Sequence, residues 1–163
     1  MILKSFEIKK IDHNTNNLIL FYGKNEGLKN EALSILNQNK NNIFNYEEKE
    51  ILDNENNFIE DILSKSLFEQ QKFIVIKRAS DKILNIIETL HQKNVEDTTI
   101  ILNSDNLEKK SKLRSLFEKD KKLVCVPFYP DTDQTLSKLV YNFLRDKKIS
   151  ISSSNINLIV NKC

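Results

Sequence analysis

Asn17-Leu18-Ile19-Leu20-Phe21-Tyr22 is a short unbroken apolar run, and Gly23 closes it. Leu28, Ala32, Ile35 and Leu36 follow at the i, i+4, i+7, i+8 spacing of one helical face. A run without polar alternation is what a strand buried on both faces requires, and such strands belong to parallel sheets covered by helices. This strand–turn–helix unit sets the pattern for most of the chain. Asn42 to Tyr46 forms a weaker strand candidate, and Phe58, Ile59, Ile62 and Leu63 make a second helical face. Phe73-Ile74-Val75-Ile76 is the clearest strand. Ile83, Leu84, Ile87 and Leu90 come next as a helix face, with Ser80 or Asp81 as N-cap. Thr98 to Leu102 is a β-branched strand, a helix is expected from Leu107 to Lys119, and Leu123 to Val126 closes the series before Pro127 and Pro130. Parallel strands need helical crossovers, so this alternation predicts a five-stranded parallel sheet flanked by helices, an α/β fold.

Beyond Pro130 the period stays helical. Leu136, Leu139, Val140, Phe143 and Leu144 form a strong amphipathic stripe beginning near Thr132 or Asp133. Ser150 to Ser154 offer caps for a further helix carrying Ile156, Ile159 and Val160. The chain stops inside this pattern, which suggests that a second, helical domain is cut short.

The composition narrows the functional classes. The 163 residues are 39% hydrophobic and 29% charged, with a formal net charge of +2, which gives no strong pull toward nucleic acid. No apolar run approaches a membrane span and no signal-peptide core is present, so a cytoplasmic protein is expected. The two cysteines, Cys125 and Cys163, are too far apart in sequence for metal-ligand spacing, and Cys125 reads as a small hydrophobe in a strand.

An open parallel sheet offers ligands the carboxyl ends of its strands, so the first strand–helix turn is the place to seek a phosphate site. It reads Gly23-Lys24-Asn25-Glu26-Gly27-Leu28-Lys29-Asn30. A phosphate-binding loop needs G-x-x-x-x-G-K-[ST], with backbone N–H groups, a lysine and a hydroxyl placed for phosphates and magnesium. Here Gly23 and Gly27 stand one residue too close. Leu28 rather than Lys29 follows the second glycine, Asn30 replaces the hydroxyl, and Glu26 brings negative charge. The strongest strand ends in Lys77-Arg78, where an ATPase carries acids for magnesium. Asn103-Ser104 resembles a polar nucleotide-sensing position with nothing left to sense. The loop is therefore read as degenerate, and no catalytic residue, cofactor or metal is expected. His13 and His91 are isolated, and Glu47-Glu48-Lys49-Glu50 reads as a solvated segment rather than a metal site. Lys109, Lys110, Lys112 and Arg114 make a basic helix face, able to touch phosphates or simply solvated.

One segment does not fit the core pattern. In Ser64-Lys65-Ser66-Leu67-Phe68-Glu69-Gln70-Gln71, two adjacent bulky residues sit among polar ones. Neighbours on a helix point about 100° apart, so one core face does not easily bury both. Leu67 also continues the Ile59–Leu63 stripe at i+4 and on that reading is core.

With these blocks in place the chain resembles the delta subunit of bacterial DNA polymerase III, a clamp-loader subunit. The resemblance rests on Leu20-Phe21-Tyr22-Gly23, on Ser66-Leu67-Phe68 just before Lys72-Phe73-Ile74-Val75-Ile76, on Leu107 to Arg114, and on Cys125-Val126-Pro127-Phe128-Tyr129-Pro130-Asp131. It implies an AAA+-like domain with a degenerate nucleotide site over residues 1–130 and the truncated start of a helical lid over residues 131–163. It further implies a subunit without activity of its own, contributing to DNA polymerase III only by association. Its partners would be the sliding clamp (the beta subunit), which it opens for loading onto primed DNA, and DNA within the complex. Tau/gamma and delta prime subunits would engage mainly through further C-terminal domains. Ser66, Leu67 and Phe68 would enter a hydrophobic pocket on the clamp, with Ser64 standing where related clamp-binding peptides have glutamine. Two other classes remain open: a diverged P-loop ATPase, and a small nucleic-acid-binding module using Lys109 to Arg114.

Overall fold

The computed structural model describes residues 1–12, 15–37, 43–64, 72–93, 95 and 97–162. They fall into two compact units, Met1–Phe128 and Tyr129–Cys163. In the first, the strands are β1 (Leu18–Tyr22), β2 (Ile43–Glu47), β3 (Lys72–Lys77), β4 (Thr98–Ser104) and β5 (Val124–Pro127). They form one parallel sheet in the order β2-β3-β4-β1-β5. The helices are α1 (Glu26–Leu36), α2 (Glu48–Asp53), α3 (Glu55–Leu63), α4 (Leu84–Gln92) and α5 (Lys112–Lys119). Short 3-10 turns cover Ser5–Lys10 and Asp81–Ile83.

The unbroken apolar runs follow from a sheet covered on both faces. Leu18, Leu20 and Tyr22 join Ile74, Ile76, Ile100 and Leu102 in one core beneath α2 to α5. Ile19 and Phe21 join Phe73, Val75, Ile101 and Val126 in the other, beneath α1 and the Ser5–Lys10 turn. Alternate residues of each strand thus feed opposite cores, as the two-residue side-chain period dictates. Cys125 is fully buried, and burial pushes its thiol up to about 12, consistent with a packing role. Among the described residues, no helix is long and apolar enough to cross a membrane.

The segment from Glu47 to Glu50, with Lys49 and Glu50 exposed, opens a helix: Glu47 and Glu50 form a capping box, α2 starts at Glu48, and Ile51 anchors it in the core. Two local expectations change. The expected helix from Leu107 begins only at Lys112. Ser111 caps it, its Oγ accepting from Arg114 N at 3.2 Å. Asp81 does not cap α4. Ser80 caps the 3-10 turn ahead of α4, while Asp81 accepts from Ser111 Oγ (2.6 Å), Lys112 N (3.1 Å) and Leu113 N (3.0 Å). An imported carboxylate thus fills the α5 N-terminus, where unpaired N–H groups favour negative charge.

The second unit is a helical pair, α6 (Asp133–Asp146) and α7 (Ser153–Val160). Thr132 caps α6 reciprocally with Thr135, and Ser152 caps α7. Ile156 and Val160 are buried, whereas Leu139 and Phe143 are exposed.

Candidate functional site

The carboxyl ends of β1 and β4 meet at the turn that a phosphate would occupy in a nucleotide-binding relative of this fold. Gly23 leaves β1 with φ +127, and a Cβ built there would lie 2.1 Å from the Phe128 carbonyl oxygen. The Phe128 N–H donates to Tyr22 O (2.7 Å), and its carbonyl accepts from Asn25 N (3.3 Å). The Gly23 N–H donates to Asp105 O at 3.2 Å. The turn is therefore stitched to the ends of β4 and β5. Asn25 then caps α1, with its Oδ1 accepting from Leu28 N at 3.0 Å and its carbonyl accepting from Lys29 N at 3.1 Å. Of the N–H groups at the start of α1 that lack an intrahelical partner, that of Leu28 is taken by the Asn25 side chain.

Lys29 is the residue that sequence reasoning missed. Grouped there with the degenerate loop, it is 1% exposed. Its Nζ donates to Ser104 O at 2.9 Å and pairs with Glu26. The ammonium thus bridges the first turn of α1 to the end of β4 as an internal strut. Its sequence signal is thin: a lysine three residues after a glutamate reads as a surface pair. Gly27 lies within α1, where an added Cβ would meet only Asn25 Oδ1 at 3.6 Å, so this second glycine makes no close approach. Asn30 is exposed on the same helix.

At the end of β3, Arg78 turns with φ 56 and pairs through NH2 with Glu47 Oε2 at 2.7 Å. Glu48 accepts from Ser80 N (2.6 Å) and Ser80 Oγ (2.9 Å). The carboxylates of Glu47 and Glu48 are thus committed to the protein's own cations and donors. Asn103 Oδ1 and Ser104 Oγ are buried without a hydrogen-bond partner among the described residues. No cluster of three or more His, Cys, Asp or Glu positioned for a metal occurs among those residues.

The basic face predicted around α5 is divided by the structure. Lys109, Lys110 and Lys112 are exposed. Arg114 instead turns inward. Its guanidinium stacks 4.7 Å from the Tyr22 ring centroid, NH1 donates to Leu107 O (3.0 Å), and Nε pairs with Glu118 Oε1 (2.8 Å). His91 is not isolated: Nε2 lies 2.9 Å from Asp120 Oδ2. Lys122 N–H donates to Asp120 as well. That bond, despite some opposing burial and with help from His91, holds the Asp120 carboxyl below its usual range.

Ser66, Leu67 and Phe68 lie outside the described residues, as do His13 and Cys163. The preceding helix is informative. α3 ends at Leu63, and Ser64 closes it in extended backbone, with its N–H on Glu60 O and its Oγ on Asp61 O. α3 and its Ile59–Leu63 stripe thus end at Leu63.

No protein-family model matches the chain, and no curated protein matches it significantly. Solved structures do match. The Bacillus subtilis DNA clamp loader delta protein aligns with a TM-score of 0.66 at 15% identity, over 95% of this chain and 50% of that one. Domain III of the Thermotoga maritima replication initiation protein DnaA aligns at 0.51 and 15% identity, over 96% and 72%. A replication initiator DnaA bound to AMPPCP and single-stranded DNA aligns at 0.55 and 14%, over 95% and 53%. At such identities the likeness is one of fold: a five-stranded parallel sheet flanked by helices. The chain spans about half the length of the clamp loader delta protein.

Proposed function

We propose that this chain is a non-catalytic clamp-loader-type subunit, cytoplasmic, that binds a sliding clamp through Ser66-Leu67-Phe68 and helps to open it for loading onto primed DNA. The observation that carries the reading is the filled phosphate turn. Gly23 packs on the Phe128 carbonyl, Asn25 caps α1, and Lys29 is spent on Ser104 O and Glu26. A fold that elsewhere serves nucleotide chemistry is here braced from within, which favours binding over catalysis. The fold-level likeness to a clamp loader delta protein supports the choice of partner.

Burying a leucine or phenylalanine contributes roughly 1.5–3 kcal/mol, enough for two anchors with a supporting rim to hold a micromolar contact. Clamp opening additionally needs tighter binding to the open ring than to the closed one. Other subunits of such a complex would supply ATP hydrolysis. The test is the affinity of wild type and of Leu67→Ala/Phe68→Ala for the sliding clamp of the same organism. Loss in the double variant is expected; undiminished affinity would remove the tip from the account. A diverged P-loop ATPase is the alternative, and turnover of ATP above background by the purified chain would favour it.

A further inference from the structure

Phe6 is the most exposed large hydrophobic side chain among the described residues, at 77%. It stands on the Ser5–Lys10 turn, whose Ile8 is buried in the core shared with α1. The ring is thus held out in water on a backbone anchored from within. Phe6 walls a groove of about 320 Å³ that Leu28, Ala32 and Ile35 of α1 line from the other side. These three fall at i, i+4 and i+7 on one helical face, and Leu28 and Ile35 remain only half-buried. A cavity of about 150 Å³ holds a benzene-sized ring, so the groove has room for a phenyl side chain.

Charge is divided between the same two walls. Lys9 of the turn and Glu31 of α1 both line the groove, and both are exposed. Among the described residues neither forms an ion pair. The other charges of the turn are met locally: Lys10 pairs with Glu7 at 2.7 Å, and Lys4 Nζ lies 5.7 Å from the Phe6 ring centroid.

These features select the occupant. Anionic lipid surfaces and nucleic-acid backbones draw on uncompensated cations, whereas here a carboxylate accompanies the groove lysine. An exposed aromatic ring beside an apolar slot is instead the composition of a protein interface. The complement of each feature lies in the same patch: a ring and a slot that can take one, an ammonium and a carboxylate. A surface that carries both halves of every contact matches itself, which is the condition for an isologous two-fold interface. Under that symmetry Phe6 of each copy meets the α1 slot of the other, and Lys9 of each meets Glu31 of the other.

We propose that a second copy of this chain docks on the groove between the Ser5–Lys10 turn and α1, with Phe6 exchanged reciprocally between the two copies. The inference uses no residue of the clamp-binding tip and stands whether or not clamp binding does.

The test is sedimentation equilibrium of the full chain, without any clamp. A contact of so few residues is smaller than a standard stable interface, so a Kd of about 0.1 mM is expected. Truncating an interface anchor typically weakens a contact about 30-fold or more, so Phe6→Ala, which removes both rings, should leave the chain monomeric at about 1 mM. Lys9→Glu and Glu31→Lys should each weaken self-association about tenfold or more, since each sets like charges opposite one another twice. An equimolar mixture of those two variants should return to within about threefold of the wild-type Kd, because each supplies the charge that the other lacks. All three positions are exposed, so thermal unfolding far below the Kd should match wild type for every variant. A wild type that stays monomeric at about 1 mM, a dimer indifferent to Phe6→Ala, or a mixture no tighter than either single variant would overturn the proposal. So would Phe6-dependent sedimentation with phosphatidylserine vesicles in the absence of any dimer, which would assign the ring to a membrane.

Discussion

Replacing Lys29 with methionine keeps an unbranched side chain of similar length in its buried channel but removes the ammonium. In the wild type that group donates to Ser104 O at 2.9 Å and pairs with Glu26, whose side chain is 56% exposed. A charged hydrogen bond contributes about 1.5–3 kcal/mol, and losing it leaves a buried carbonyl unpaired. The Glu26 pair adds no more than about 1 kcal/mol, because the carboxylate can be hydrated once released. Against this, methionine escapes the cost of burying a charge. The balance is a loss of about 1–2 kcal/mol, and at about 2–4 °C per kcal/mol the midpoint should fall by about 2–8 °C. Thermal unfolding of both proteins with and without MgATP is the assay. A lysine that serves phosphate would behave in the opposite way. Its removal would leave the nucleotide-free protein unharmed, while nucleotide at a hundred times its Kd would stabilise the wild type by about 2.7 kcal/mol. That pair of results would refute the strut.

Two further outcomes follow from the same geometry. Gly23→Ala places a Cβ 2.1 Å from a backbone carbonyl oxygen at φ +127, so urea unfolding should show a loss of about 2 kcal/mol or more. An unchanged midpoint would show that the turn is not locked against Phe128. Burial pushes the Asp81 carboxyl up, but the Ser111 hydroxyl, the Leu113 and Lys112 N–H groups and the Lys112 charge together hold it below its usual value. Its contribution is therefore complete above the unfolded value of about 3.9 and is lost as pH falls through the lower folded one. Asp81→Asn should cost about 1 kcal/mol at pH 7, the worth of one hydrogen bond, because an amide has only one acceptor oxygen where the carboxylate uses two, with the gap to wild type closing in urea titrations toward pH 2–3. A gap that persists there would assign the effect to packing instead.

The five strands were legible because strands buried on both faces cannot hide: β1, β3 and β4 read as continuous apolar runs, and α1 as a clean stripe. What the sequence concealed depends on partners distant along the chain. The start of α5 is set by Asp81, some thirty residues earlier, and nothing near Leu107 announces it. α2 is six residues with one buried anchor, Ile51, too short to show a period. The departure of the Gly23 turn from a phosphate loop was plain from spacing alone. How that turn is filled was not, because Lys29 reaches Ser104 seventy-five residues away. Arg114 likewise counted as a surface cation until Tyr22 and Glu118 were seen to enclose it.

The claim that this chain works by binding rather than by nucleotide chemistry meets its most direct test in one titration. A labelled sliding clamp is titrated with wild type, with and without saturating MgATP, and with Leu67→Ala/Phe68→Ala. The account predicts the same binding curve with and without nucleotide. It also predicts a loss of about 30-fold or more in the double variant, since truncating an interface anchor typically costs about 2 kcal/mol. Binding that requires MgATP, or that survives removal of both side chains, would contradict it.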